Sequence, residues 1–190
     1  MYLIQYNMIK IAMALLLGIC LSVLVGACSV LLLPSIGGQG GIGGDGSVMT
    51  INAEAISVKM LSLYHAAAKT CPGLSWSILA AIGSIESDNG MSSLPGVNSG
   101  SNYMGAEGPM QFEPATFLAY ATVGPGGAVP PNPYNPVDAV YTAATMLCAN
   151  GASNPSGLEA AVYDYNHSLR YVEQVLAIAK QYRRSMGATR

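Results

Sequence analysis

Residues 75–90, SWSILAAIGSIESDNG, limit most strongly what this chain can fold into. Ile78, Ile82 and Ile85 recur at helical spacing, with Leu79 and Ala81 between them, so the segment predicts an apolar helix that must be buried. Glu86 lies four residues after Ile82 and eight after Ile78, and therefore shares their face. A carboxyl in that position loses water, which favours its neutral form. Gly90 is the expected stop, which leaves Glu86 in the last turn. There the helix dipole also disfavours an anion. Both effects raise the carboxyl pKa, as a general acid working near neutral pH requires. The ordinary alternative is a surface Glu at a helix end.

The surrounding composition narrows the ligand class. With 51% hydrophobic and 9% charged residues the chain is too apolar for disorder. The net charge of -2, without a basic patch, argues against nucleic acid. So few charges suit a neutral ligand rich in hydroxyls and amides. Residues 11–33 carry no charge, and Ser22 and Ser29 are their only hydroxyl breaks. At about 1.5 Å per residue such a run spans a hydrocarbon core of about 30 Å. It is expected to be a single-pass transmembrane anchor. Lys10 is the only charge in residues 1–10 and keeps that end cytoplasmic, placing the remainder on the extracytoplasmic side of the cell membrane. A cleaved signal peptide and a lipoprotein site at Cys28 are the competing readings, but the apolar run is long for the first and resumes after Cys28, against the second. Residues 34–50 form a Gly-rich linker with a coil reach of roughly 20 Å.

Residues 51–190 are enough for one self-sufficient core. A helix is expected over 52–69, its stripe formed by Ile56, Met60, Leu63, Tyr64 and Ala67. After the central helix, residues 91–108 are Gly-, Ser- and Asn-rich and read as a loop bordering a cleft. A short helix over 114–121 opens on Pro114. Asn135, Pro136 and Asp138 form a strong helix start, and Asn150 and Gly151 an end. Helices over 157–166 and 169–184 complete an all-α domain with long loops, the last burying Val172, Val175, Leu176 and Ala179.

Cys71 and Cys148 are the only thiols of the domain. Outside the membrane such a pair usually oxidises, so a disulfide is expected, with two separate buried thiols as the alternative. Cys and His show no metal-ligand spacing, and no metal or cofactor is expected. Among the other acids, Glu54, Asp138 and Glu159 fall at helix starts, Glu113 is expected to be a cap, and Glu173 lies on a polar face. Asp88 and Glu107 fall in or near loops. Asp164, between Tyr163 and Tyr165, is the most credible second acid, but no two carboxylates clearly form an acid–nucleophile pair.

Three motifs then occur in order: Glu86-Ser87, the run GAEGPMQF from Gly105 to Phe112, and Tyr165-Asn166-His167-Ser168. Together they resemble the lytic transglycosylase family, in its actinobacterial and phage type, which has a lysozyme-like fold. The resemblance covers about residues 71–182. It implies cleavage of peptidoglycan glycan strands between N-acetylmuramic acid and N-acetylglucosamine, with 1,6-anhydro ends. It also implies that Glu86 is the single acid/base and that Ser87 orients substrate. Gly108, Met110 and Gln111 would line the groove, and Tyr165 and Asn166 would complete the site. The loop GPGGAVPPNPYNP before the Asp138 helix departs from relatives, which often carry acidic residues there, and Asp164 stands where they often have a small residue. Two other functions stay open: a hydrolytic muramidase using Asp164 or Asp88 to position water, and a wall-binding factor of secretion, conjugation or phage machinery.

Overall fold

The computed structural model describes residues 56–187. The predicted anchor and linker, and the first residues of the first predicted helix, lie outside them. Among the described residues no helix is long and apolar enough to cross a membrane. The described part is helical and contains no strand, only an isolated antiparallel bridge between Glu107 and Phe112.

The first helix, α1, runs Val58–Ala68 and starts later than its apolar stripe suggests. The reason is local: the Ser57 side chain accepts the Met60 amide at 3.2 Å, a cap that ends the preceding non-helical backbone. Helix α2, Trp76–Ser87, begins at the Ser75 cap and is buried from Ser77 to Gly83 on every side. It packs against three other helices, so the core is arranged around it. Its end also differs from expectation. Asp88, at φ 52, and not Gly90, terminates the helix, and Asn89 follows at φ 56. Asp and Asn are the non-glycine residues that tolerate this left-handed backbone best. Gly83 is needed inside α2, because a Cβ there would overlap the Tyr64 hydroxyl of α1.

Helix α3, Pro114–Tyr120, has Pro at its start as expected; Glu113 occupies the cap position but makes no capping bond. Helix α4, Pro136–Leu147, starts at Asn135, whose side chain accepts the Val137 amide at 2.9 Å. One π-helical turn, Cys148–Ala152, follows it, and the helical backbone breaks at Gly151, φ 101, the expected stop. A 3-10 turn, Pro155–Gly157, leads into α5, Leu158–Asn166, and then α6, Leu169–Gly187. Helix α6 lies along α2 and buries Tyr171, Val172, Val175, Ala179 and Tyr182. The disulfide joins Cys71 to Cys148 across 77 residues of chain. Closing a loop of that size stabilises by about 4 kcal/mol on the chain-entropy account.

Asp138 does more than favour a helix start. It is fully buried. One oxygen accepts the amides of Ala128 at 2.9 Å and Asn132 at 3.1 Å; the other faces the Gly124 amide at 3.4 Å. The Pro/Gly loop between α3 and α4 is thus wrapped around a carboxylate supplied by α4. Asp138→Asn puts an NH2 group against one set of these donors. Loss of about 2–3 kcal/mol is expected in denaturant unfolding, since buried amides lose their acceptor; a variant as stable as wild type would show that the loop holds without it.

Candidate active site

The last turn of α2 delivers Glu86 to a point where α5, α6 and the 108–112 loop converge. The residue as a whole is only partly buried, but its carboxyl end is enclosed. Oε1 accepts a hydrogen bond from the Tyr171 hydroxyl at 2.6 Å. Tyr171 belongs to the first turn of α6 and is itself buried. Its ring lies parallel to that of Tyr165 of α5, with centroids 6.4 Å apart. Tyr165 in turn donates to the Met110 carbonyl at 2.8 Å and packs on Phe112 at 5.5 Å.

Burial pushes the Glu86 carboxyl up to about 7, and the Tyr171 hydrogen bond opposes it by stabilising the anion. Burial and then the charge of Glu86 push the Tyr171 and Tyr165 hydroxyls far above their usual range. Both tyrosines therefore stay protonated at any working pH, and Tyr171 acts toward Glu86 as a donor only.

Ser87 is 2% exposed. Its hydroxyl donates to the Pro109 carbonyl at 2.6 Å and accepts the Gly90 amide at 2.8 Å. A side chain so enclosed orients the 108–112 loop against α2 rather than touching a ligand directly. Gly108 has φ 76, donates its amide to the Gly96 carbonyl at 2.7 Å, and has no room for a Cβ beside the Pro133 carbonyl. Met110 has no exposed surface, so its side chain belongs to the core while its carbonyl anchors Tyr165. Gln111 takes the left-handed backbone at φ 48; its side chain donates to the Gly108 carbonyl at 2.8 Å and accepts from Asn102 at 2.9 Å. Asn166 is exposed at the end of α5.

Parts of the three sequence motifs are thus brought together, through Ser87 on Pro109 and Tyr165 on Met110, but Ser87 and Met110 hold the place up from inside, and Asn166 and His167 are exposed. Asp164 and Asp88 are exposed. Burial and Tyr171 account for the shift of Glu86 without a neighbouring carboxylate. Among the described residues, no group of three or more His, Cys, Asp or Glu could hold a metal. A separate shallow depression of about 300 Å³, floored by His65, Cys71 and Trp76, lies at the opposite end of α2 and contains no acid.

Reading the sequence for carboxylates and motifs missed Tyr171 and Asn102, and placed Tyr64 in a buried stripe without a role for its hydroxyl. Tyr171 could have been found: it falls in the apolar stripe of α6, where a buried tyrosine hydroxyl needs a partner. Tyr64 donates to the Asn89 side chain at 3.0 Å and so fixes the turn that follows Glu86. No protein-family model, curated protein or solved structure matches the chain.

Two outcomes are expected from the electrostatics. Removing the Tyr171 hydroxyl takes away the interaction that lowers the Glu86 pKa, so Tyr171→Phe should move the carboxyl titration above 7, read by carbon-13 NMR of labelled Glu; a downward shift would contradict the geometry. The second concerns stability. A carboxyl with a folded pKa of about 7 against an ordinary 4.5 binds its proton more tightly in the folded state. It contributes stability that is complete below pH 4.5 and lost as pH rises to 7. Glu86→Gln removes that loss and should be more stable than wild type at pH 8, by about 3 kcal/mol at most. Equal or lower stability of the variant at pH 8 would place the carboxylate in a hydrated environment.

Proposed function

We propose that the protein is a peptidoglycan lytic transglycosylase whose single acid/base is Glu86. The observation that carries this reading is a carboxyl that burial pushes up to about 7, with no second carboxylate among the described residues contributing to the shift. Retaining and inverting glycosidases ordinarily need two. A reaction that supplies its own nucleophile needs one. The ordered motifs support the same class: Ser87, next to Glu86, binds the Pro109 carbonyl, and Tyr165 binds the Met110 carbonyl of the same loop.

In this mechanism neutral Glu86 gives its proton to the oxygen that links N-acetylmuramic acid to N-acetylglucosamine. The C1–O4 bond breaks, and positive charge develops on the muramoyl ring. Glu86, now ionised, removes the proton of that sugar's own C6 hydroxyl, and O6 closes on C1. One C–O bond is lost, one is formed, no water is consumed, and Glu86 ends protonated as it began. The nucleophile is held in the same ring as the reacting carbon, so its effective concentration replaces a bound water. Tyr171 offsets part of the charge on Glu86 in the ionised half of the cycle.

Residues 11–33 would tether this domain to the outer face of the cell membrane, with the linker 34–50 letting it reach glycan strands nearby. Glu86→Gln should lower release of glycan fragments from purified walls by about 10²–10⁴-fold while circular dichroism stays unchanged. Mass spectrometry of the wild-type products should show 1,6-anhydro ends. Reducing ends would make the protein a muramidase, and undiminished cleavage by Glu86→Gln would remove Glu86 from the chemistry.

A further inference from the structure

Sixteen residues between Asp88 and Glu107, from Met91 to Ala106, contain no charged side chain. Within them Met91, Leu94, Tyr103 and Met104 are all exposed, and Tyr103 stands 96% free of the protein. An aromatic left so open usually belongs to a loose loop. Here its backbone is tightly held. The Asn102 amide donates to the Ala106 carbonyl at 3.0 Å and the Gly105 amide to the Asn102 carbonyl at 2.9 Å. The Asn102 side chain accepts the Met104 amide at 2.8 Å and the Ala106 amide at 3.0 Å. The base of this turn lies on Gly96, where a Cβ would overlap both the Ala106 carbonyl and the Asn102 amide. The remaining Asn102 group, Nδ2, donates to Gln111 Oε1, which joins the turn to the loop carrying the Tyr165 anchor.

We propose that the Tyr103–Met104 tip is a binding platform at the edge of the Glu86 site, on which the apolar face of a pyranose ring of the glycan strand lies. This rests on the reading of Glu86 as a glycan-cleaving acid. Sugar rings present C–H groups on one face and hydroxyls at the rim, and a fixed, uncharged aromatic with Met beside it matches the first without binding the second. The fixed backbone means that little ordering entropy opposes binding. Direct coupling to Gln111 favours a glycan over a lipid surface, because a membrane-dipping tip has no need of a hydrogen bond to the loop beside the acid.

The test uses the full chain in detergent, with Glu86→Gln present so that the ligand is bound and not cut. The probe is soluble, uncross-linked glycan strands. Adding Tyr103→Ala should raise Kd about tenfold, and Tyr103→Phe should restore affinity to within about twofold, since the ring and not the hydroxyl makes the contact. The melting temperature should not change, because the side chain touches little of the protein. If the Glu86→Gln protein binds no glycan at all, the functional reading fails and the platform with it. If it binds, and Tyr103→Ala leaves Kd unchanged, only the platform fails. A third measurement addresses lipid: in a Trp76→Phe background, Tyr103→Trp fluorescence should respond to glycan strands and not to brominated lipid. Quenching by the lipid would reassign the tip to the membrane.

Discussion

Everything at the candidate site depends on one hydrogen bond made where water is scarce. Tyr171 meets Glu86 at 2.6 Å, at the one turn where an otherwise apolar helix ends. Helix α2 is buried on all sides from Ser77 to Gly83, and its last turn, half-buried from Ser84 to Glu86, emerges beside α6. A carboxyl placed there pays for desolvation unless it keeps its proton or finds a donor. Glu86 does both in part. Its pKa is raised to about 7, and a tyrosine that cannot ionise supports the charged form.

The rest of the fold keeps that geometry in place. Tyr64 reaches the Asn89 side chain over Gly83, which fixes the left-handed turn after Glu86. Ser87 binds the Pro109 carbonyl and Tyr165 binds the Met110 carbonyl, so the 108–112 loop is held from two helices. Farther out, Asp138 draws the loop before α4 inward, and the Pro133 carbonyl of that loop lies where a side chain on Gly108 would be. Buried polar groups in this domain therefore act mainly by satisfying loop backbone. That is the arrangement a long-looped helical domain needs, since its loops have no sheet to pair with.

Helix positions were legible because their signals are local. The spacing of Ile78 and Ile82, the Asn135-Pro136 start and the stripe of α6 each act within a few residues. Helix ends were less legible where a competing local group won: Ser57 shortened α1 and Asp88 ended α2 before Gly90, whereas the helical backbone after α4 breaks at Gly151, as its sequence predicts. The raised pKa of Glu86 was readable from its place on an apolar face. Its partner was not, because Tyr171 lies 85 residues away and only the packing of α6 on α2 brings it near. Ser87 and Met110 show a similar limit. A motif names residues that matter at one location, but it does not distinguish a side chain that faces a ligand from one that holds the wall behind it.

On the proposed mechanism, a lone acid/base at Glu86 must satisfy two opposite demands in one cycle. It must be neutral enough to give a proton and, a step later, basic enough to take one. Burial alone would drive the carboxyl upward, making it a weaker acid and leaving little of it ionised. A strong donor alone would pull it down, so that few molecules would hold the proton at neutral pH. The two effects at Glu86 act in opposite directions, with burial the larger. The carboxyl consequently rests near 7, where both forms are well populated and proton transfer in either direction is close to balanced. A second carboxylate beside it would upset that balance by raising its pKa further, whereas the Tyr171 hydroxyl, a neutral donor to Oε1, lowers it.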